Sequence, residues 1–227
     1  MRGDQTVYID LARLGQAGDD AATVLRLIMA AGDVQIANQC MGKCEPGKSI
    51  FNSTLREAAT LYFVRLQCGH INEAMDAIKE IEQSTYLRSL VSRLAPYDQH
   101  AYQRLLDCIK GRPGYRDFQD NIGTVRQNVA FHYSKGAVEK ALNRLTNVRA
   151  HRLSKMTRGS DISRCRFHIA DLILKVTTNR VLWRLDPKGD AEQQLKEPLG
   201  YGSDLCEDLL LFAGDFAWEY LKAYTAI

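Results

Sequence analysis

Apolar residues recur every three or four positions along most of the chain, which is the spacing of helices that bury one face. Short clusters of glycine, proline and polar residues interrupt this pattern, and the alternation typical of β-strands is almost absent. The pattern predicts helices over 21–31, 34–42, 53–69, 70–83, 84–94, 98–109, 115–133, 137–148 and 161–176, and from 203 onward. It therefore predicts an all-α fold, a multi-helix bundle that forms a single domain over residues 1–227.

Two regions depart from this pattern. In residues 1–20, Val7, Ile9 and Leu11 fit either a short strand or the start of a helix, so this part is poorly determined. The second region, residues 186–202, contains charged residues together with Pro187, Gly189, Pro198, Gly200 and Gly202. That composition predicts a long surface loop.

The last helix concentrates aromatic and aliphatic side chains on one face. Leu205, Leu209, Phe212 and Phe216 lie at helical spacing, with Trp218 and Tyr220 nearby. Such an area forms either the final layer of the core or the surface of a dimer.

Composition adds little to the fold but limits the class of protein. The 227 residues are 45% hydrophobic and 25% charged, as in an ordinary globular protein. No apolar run is long enough to cross a membrane, and no apolar signal core follows the first residues, so we expect a cytoplasmic protein. The six cysteines are scattered, which fits reduced thiols in that compartment.

A titratable residue lies on the apolar stripe of the helix predicted over 115–133. Phe118, Ile122, Val125, Val129 and His132 recur at steps of four and three, so the imidazole shares a face with apolar side chains.

Two polar residues come shortly before His132. Asn128 precedes it by one helical turn and can reach it. Arg126 lies roughly 120° round an α-helix and about 9 Å along it from His132, so one isolated helix does not bring the two side chains together.

The segment Arg126-Gln127-Asn128-Val129-Ala130-Phe131-His132, followed by Tyr133, resembles the R-x(4–6)-H motif of the HEPN superfamily. That family consists of small helical bundles, many of them metal-independent ribonucleases of toxin–antitoxin, anti-phage and RNA-processing systems. The residue directly after the arginine is Gln127, where the family often has Asn, Asp or His.

The resemblance implies that Arg126 and His132 are catalytic, with Asn128 as the polar residue near the arginine. It also implies a homodimer, in which two motif helices meet and the arginine of one chain works beside the histidine of the other. RNA would be the substrate, an antitoxin or regulatory protein a further partner, and no metal or cofactor would be needed.

The residue types suit RNA cleavage. Attack of a ribose 2′-hydroxyl on the adjacent phosphate needs a proton acceptor, a proton donor and positive charge, which an imidazole and a guanidinium supply. The alternative is that His132 is a core histidine hydrogen-bonded to Asn128, while Arg126 is solvated. The chain would then be a non-enzymatic helical interaction or dimerisation protein.

Positive charge is concentrated directly after the motif. Although the net charge is only +3, residues 140–166 contain eight lysines and arginines against one acid, Asp161. The candidates for binding RNA phosphates are Arg144, Arg149, Arg152, Lys155 and Arg158. The alternative is a solvated helix face and a loop that happen to be basic.

Two further patterns resemble parts of known binding sites. Gly42 to Ser49 fits the spacing of a phosphate-binding P-loop, but the residues before it are typical of a helix rather than the buried strand that a P-loop needs. We therefore predict an ordinary connection between helices, with nucleotide binding as the alternative. Cys40 and Cys44 lack a second pair at metal-site spacing, so no zinc site is predicted.

Overall fold

A computed structural model describes residues 6–44, 53–130, 134–146, 168–186 and 188–225. Within these ranges the chain is almost entirely helical and has no β-strand beyond a single antiparallel bridge between Ile9 and Thr225. The all-α prediction is confirmed. In the same ranges, no helix is both long enough and apolar enough to span a membrane.

The described helices follow in this order along the chain. The α-helices are α1 (Leu11–Gly15), α2 (Asp19–Gly42), α3 (Ser53–Gln83), α4 (Thr85–Val91), α5 (Pro96–Asp107), α6 (Tyr115–Phe118), α7 (Lys135–Thr146), α8 (His168–Val176) and α9 (Ala191–Leu221). Among the described residues three segments are wound as π-helices, namely π1 (Gln119–Gly123), π2 (Arg126–Ala130) and π3 (Thr177–Leu182), and Lys222–Tyr224 forms a 3₁₀ turn.

The ambiguous N-terminal segment forms a helix start. Asp10 caps α1, because its Oδ1 atom accepts the backbone N–H groups of Ala12 at 3.0 Å and Arg13 at 3.1 Å. The backbone N–H of Asp10 donates to the carbonyl of Tyr224 at 2.8 Å, which ties the start of the chain to its last helical turn.

The helix predicted to end at Gly69 continues through it. α3 is one helix from Ser53 to Gln83. A glycine inside a helix costs about 1 kcal/mol relative to alanine. Cys68 and Ile71, on either side of it, are both buried, and this burial offsets that cost and keeps the helix continuous.

The prediction of a surface loop over 186–202 is wrong for most of its length, because α9 already begins at Ala191. Asp190 starts the helix by accepting the backbone N–H of Gln193 at 3.3 Å. Pro198 lies inside the helix and is buried. Proline there removes one backbone hydrogen bond, but the rest of the helix is long enough to continue past it.

The chain divides into two compact units, each of which draws on separated stretches of sequence. The first unit comprises residues 1–36, 70–117 and 203–227, and the second comprises 37–69 and 118–202. The prediction of a single domain over 1–227 stays a prediction.

The core of the first unit is built around the aromatic face of α9. Phe212 is fully buried, with its ring centroid 4.9 Å from that of Tyr102 and 5.0 Å from that of Phe216. Leu209 and Tyr220 are also buried on this face, whereas Trp218 is exposed. Of the two alternatives for the last helix, the structure therefore gives the core.

Two ion pairs tie helices of the first unit together. Arg104 of α5 donates two hydrogen bonds to the carboxylate of Asp208 on α9, with 2.7 Å between its Nε and Oδ2 atoms. On α2, Thr23 and Arg26 donate to Glu80 of α3, at 2.8 Å from Thr23 Oγ1 to Oε2 and 2.8 Å from Arg26 Nη1 to Oε1. The hydrogen bond from Arg26, followed by that from Thr23, lowers the pKa of Glu80 against the opposing effect of burial.

The lowered pKa of Glu80 predicts a pH dependence. A carboxyl whose pKa is lower in the folded state stabilises the fold above its unfolded pKa of about 4.3, and this contribution disappears as pH falls through the folded value. We expect Glu80→Gln to be less stable than wild type at neutral pH, with the difference shrinking in acid. Urea unfolding at several pH values measures this. Asp204→Asn is the control, since Asp204 is exposed and has no ion pair within the described ranges, and an unchanged difference at every pH would contradict the prediction.

Candidate functional site

From residue 115 to residue 130 the motif segment is helical, as predicted, but much of it is not α-helical. After α6, π1 spans Gln119–Gly123 and π2 spans Arg126–Ala130. The carbonyl of Gln119 accepts both the backbone N–H of Thr124 and its hydroxyl, the latter at 2.6 Å. π-helical turns are rare and occur frequently at functional sites. They also change the angle between successive side chains, so the α-helical angle expected between Arg126 and His132 no longer applies.

The apolar stripe of the motif segment is buried where the structure describes it. Phe118, Ile122 and Val125 are almost fully buried. The backbone of Val129 lies in π2, but its side chain and residues 131–133, including His132, lie outside the described residues. The prediction that His132 continues this stripe therefore stays a prediction.

Arg126 occupies the first position of π2, directly after the fully buried Val125. The residue as a whole is half-buried, and its Nε atom is shielded from solvent. Arg126 is therefore partly shielded from solvent, and both interpretations of the motif stay predictions.

Asn128 is hydrogen-bonded to the preceding helical turn. Its side-chain Nδ2 atom donates to the backbone carbonyl of Thr124 at 2.8 Å. Its backbone carbonyl accepts the backbone N–H of Ser134 at 2.9 Å. The side-chain hydrogen bond therefore joins the backbone on the two sides of Arg126.

This geometry predicts a difference between two substitutions of Asn128. Asn128→Ala loses one hydrogen bond, which is worth about 1 kcal/mol, whereas Asn128→Asp also places a carboxylate against the Thr124 carbonyl and is expected to destabilise more. Urea unfolding measures both. The exposed neighbour Gln127 supplies the control as Gln127→Ala, and equal stability of all three variants would contradict the role of Asn128.

A second π-helical segment contacts the motif segment through Trp183, which follows π3. The indole Nε1 of Trp183 donates to the carbonyl of Asn121 in π1 at 3.0 Å, and its backbone N–H closes π3 on the carbonyl of Thr178 at 3.0 Å. Trp183 thus links the two π-helical regions of the second unit. Sequence analysis missed this residue because a lone tryptophan carries no spacing signal.

Two buried polar atoms of π3 have no hydrogen-bond partner among the described residues. They are the Oγ1 atom of Thr178 and the Oδ1 atom of Asn179. Thr177 beside them bonds back to the carbonyl of Ile173 at 2.8 Å. Buried polar groups of this kind are usually satisfied by internal water.

Only one of the predicted RNA-binding residues lies within the described part of the chain. Arg144 on α7 is exposed, and its Nη1 atom donates to the backbone carbonyl of Arg180 in π3. The other four, Arg149, Arg152, Lys155 and Arg158, lie outside the described residues.

The P-loop pattern begins at a helix end. Gly42 is the last residue of α2, followed by a turn at Lys43 and Cys44, while residues 45–49 lie outside the described ranges. The residues before Gly42 are therefore helical, as predicted, and do not form the strand that a P-loop requires.

Cysteine and metal chemistry add no site where the chain is described. There, no group of three or more His, Cys, Asp or Glu side chains is arranged to hold a metal ion. Cys40, Cys44, Cys68, Cys108 and Cys206 form no disulfide bond, and burial raises the pKa of Cys206 to about 12. That thiol is therefore protonated and unreactive at neutral pH.

The chain matches no protein-family model, no curated protein and no solved structure. Its function is therefore inferred from its own residues. The HEPN resemblance of the segment from Arg126 to Tyr133 stays a prediction.

Proposed function

We propose that this protein is a HEPN-like, metal-independent endoribonuclease that acts as a homodimer, with Arg126 and His132 as its catalytic residues. The observation that carries the proposal is the position of Arg126. It is half-buried at the start of a π-helical turn, next to a buried apolar stripe and shortly before His132. A charged residue held in an unusual backbone is more typical of a functional site than of a solvated helix.

The reaction would be an internal phosphoryl transfer. The ribose 2′-oxygen bonds to the phosphorus, its proton passes to an imidazole, and the bond from phosphorus to the 5′-oxygen breaks as that oxygen takes up a proton. The products are a 2′,3′-cyclic phosphate and a 5′-hydroxyl. Arg126 would donate two hydrogen bonds to the phosphoryl oxygens as negative charge develops on them.

A dimer would bring the two residues together. Two motif helices related by a two-fold axis would place the arginine of one chain beside the histidine of the other. Basic residues after the motif, including Arg144, would hold the RNA backbone. A toxin or defence role, with an antitoxin or regulatory protein as partner, follows from the same resemblance.

Cleavage of mixed cellular RNA by the purified full-length chain in the presence of a chelator tests this function. We expect fragments that end in 2′,3′-cyclic phosphates, detected by end-specific sequencing. RNA in which the 2′-hydroxyls are methylated is the control and should stay intact. Intact cellular RNA after incubation, or cleavage that needs an added metal ion, would contradict the proposal.

A second candidate is a non-enzymatic interaction protein, which one feature of α2 favours. Met29 and Ile36 are 68% and 61% exposed, and Leu25 is 38% exposed one turn before Met29. These side chains share one face of the helix and are available to a partner. A folded chain that cuts no RNA, and that loses a binding partner or its self-association on Met29→Glu, would favour this candidate.

A further inference from the structure

Three arginines of the second unit lie in, or bond to, the backbone of residues 180–185 at the end of π3. Arg144 reaches from α7 and donates its Nη1 to the carbonyl of Arg180. The guanidinium of Arg180 donates its own Nη1 to the carbonyl of Leu185 at 2.8 Å, and the exposed Arg184 immediately precedes Leu185. The first hydrogen bond brings Arg144 to the backbone of residues 180–185, in which Arg180 and Arg184 lie.

These arginines carry positive charge that no carboxylate in the described part of the chain neutralises by an ion pair. Other arginines of the same chain do have such partners, as Arg104 does in Asp208 and Arg26 in Glu80. Asp186 is close in sequence, but its Oδ1 accepts the backbone N–H of Lys188 at 2.9 Å. Lys140, exposed and one turn before Arg144 on α7, adds a further charge on that side.

Helix capping explains part of this arrangement. Arg144 bonds the carbonyl of Arg180 in the last turn of π3, the negative end of a helix, which is a favourable place for a cation. Arg180 bonds the carbonyl of Leu185, which lies beyond that helix end. These hydrogen bonds use one Nη1 atom of each guanidinium and leave the remaining N–H groups available, and the side chain of Arg184 makes no hydrogen bond within the described ranges.

Arg184 also has a strained backbone. Its φ of 58° lies in the left-handed region, and no other non-glycine residue of the described chain has a positive φ. An L-residue with a side chain pays about 1–2 kcal/mol for this conformation, which glycine adopts freely. The backbone N–H of Leu185 donates to the carbonyl of Asn179 at 2.8 Å, so this conformation closes the end of π3, and the residue at that position is a cation rather than the usual glycine.

We infer that Arg144, Arg180 and Arg184 form a binding site for phosphate groups of an RNA backbone. The choice of RNA rests on the proposed function. The guanidinium geometry supports it, because each planar fork pairs with two oxygens of one phosphate. Arg180 and Arg184 lie outside the basic stretch of residues 140–166 that follows the motif. They add residues to the proposed RNA-binding set on both sides of Trp183, whose indole donates a hydrogen bond to π1.

Arg184→Gly distinguishes weaker binding caused by a lost charge from weaker binding caused by a less stable fold. It removes one cation and also relieves the strained backbone. We compare wild type, Arg184→Gly and Arg144→Gln for binding to a labelled 2′-O-methyl oligouridylate at several salt concentrations. This probe cannot undergo the proposed cleavage. Arg93→Gln is the control, since Arg93 is exposed and has no ion pair in the described ranges.

We expect Arg184→Gly to bind the oligonucleotide about tenfold more weakly, as loss of one charge-assisted contact implies. The slope of log affinity against log salt should fall by about 0.7, the value for one phosphate contact on a single strand. Its melting temperature should be equal to or above that of wild type. Arg144→Gln should weaken binding similarly and Arg93→Gln should not.

Unchanged affinity and salt slope in Arg184→Gly would overturn this site, as would an equal loss in Arg93→Gln. Cleavage of ordinary RNA by wild type, measured alongside, separates the two proposals. If wild type cleaves RNA while Arg184→Gly still binds it normally, the arginine site fails and the proposed activity stands. If wild type neither binds the oligonucleotide nor cleaves RNA, both fail.

Discussion

His132→Ala is expected to lower the rate of RNA cleavage by about 10²–10⁴-fold, the range in which a general acid or base contributes. Arg126→Ala is expected to lower it by about 10²–10³-fold, because it removes positive charge where negative charge develops. The measurement is the single-turnover rate constant on one defined RNA in chelator. Circular dichroism of each variant establishes that its helices are intact.

Two matched controls lie outside the motif. Arg93→Ala removes an exposed arginine of the first unit, and His70→Ala removes a histidine of the same unit whose Nδ1 lies 3.4 Å from Oδ2 of Asp33. Both should cleave RNA at the wild-type rate. If the folded His132→Ala or Arg126→Ala protein cuts as fast as these controls do, the catalytic roles are wrong.

Phe212→Ala is expected to lower the free energy of unfolding by about 3–5 kcal/mol, as other buried Phe to Ala changes do. The ring is fully buried between Tyr102 and Phe216, so its removal loses both aromatic contacts and leaves a cavity. Since a domain of ordinary stability has only about 5–15 kcal/mol in total, this one change removes a large part of it. Urea unfolding followed by circular dichroism measures the loss.

Trp218→Ala is the matched control, because it truncates an aromatic side chain of comparable size on the exposed face of the same helix. It should cost much less than Phe212→Ala. Equal losses for the two variants would contradict the assignment of Phe212 to the core of the first unit.

The buried faces of the helices could be predicted from sequence because apolar spacing and burial have the same physical cause. Phe118, Ile122 and Val125 were predicted to share a stripe, and all three are buried. The same holds for Leu209, Phe212 and Phe216 on α9. In each case the helix buries one face, so apolar side chains three or four positions apart leave water together.

Helix ends were harder to predict because tertiary packing overrides local preference. Gly69 and Pro198 are both residues that usually end helices, yet α3 and α9 run through them. The buried side chains around Gly69 outweigh its preference, and no local pattern reports that burial.

The candidate site was predictable in its residue types but not in its backbone. The sequence placed Arg126 and Asn128 on a helix, but the hydrogen bonds that wind π1 and π2 depend on backbone geometry, which residue spacing does not encode. The positive φ of Arg184 is equally invisible, because glycine or asparagine is the usual sign of that conformation.

The central claim is that Arg126 and His132 of two different chains form one RNA-cleaving site, and mixing the two inactive variants tests it. In a mixed dimer of Arg126→Ala and His132→Ala chains, one of the two composite sites regains both residues. With about half of the dimers mixed, the account predicts about a quarter of the wild-type activity in chelator. No cleavage by a mixture in which mass spectrometry detects mixed dimers would contradict it.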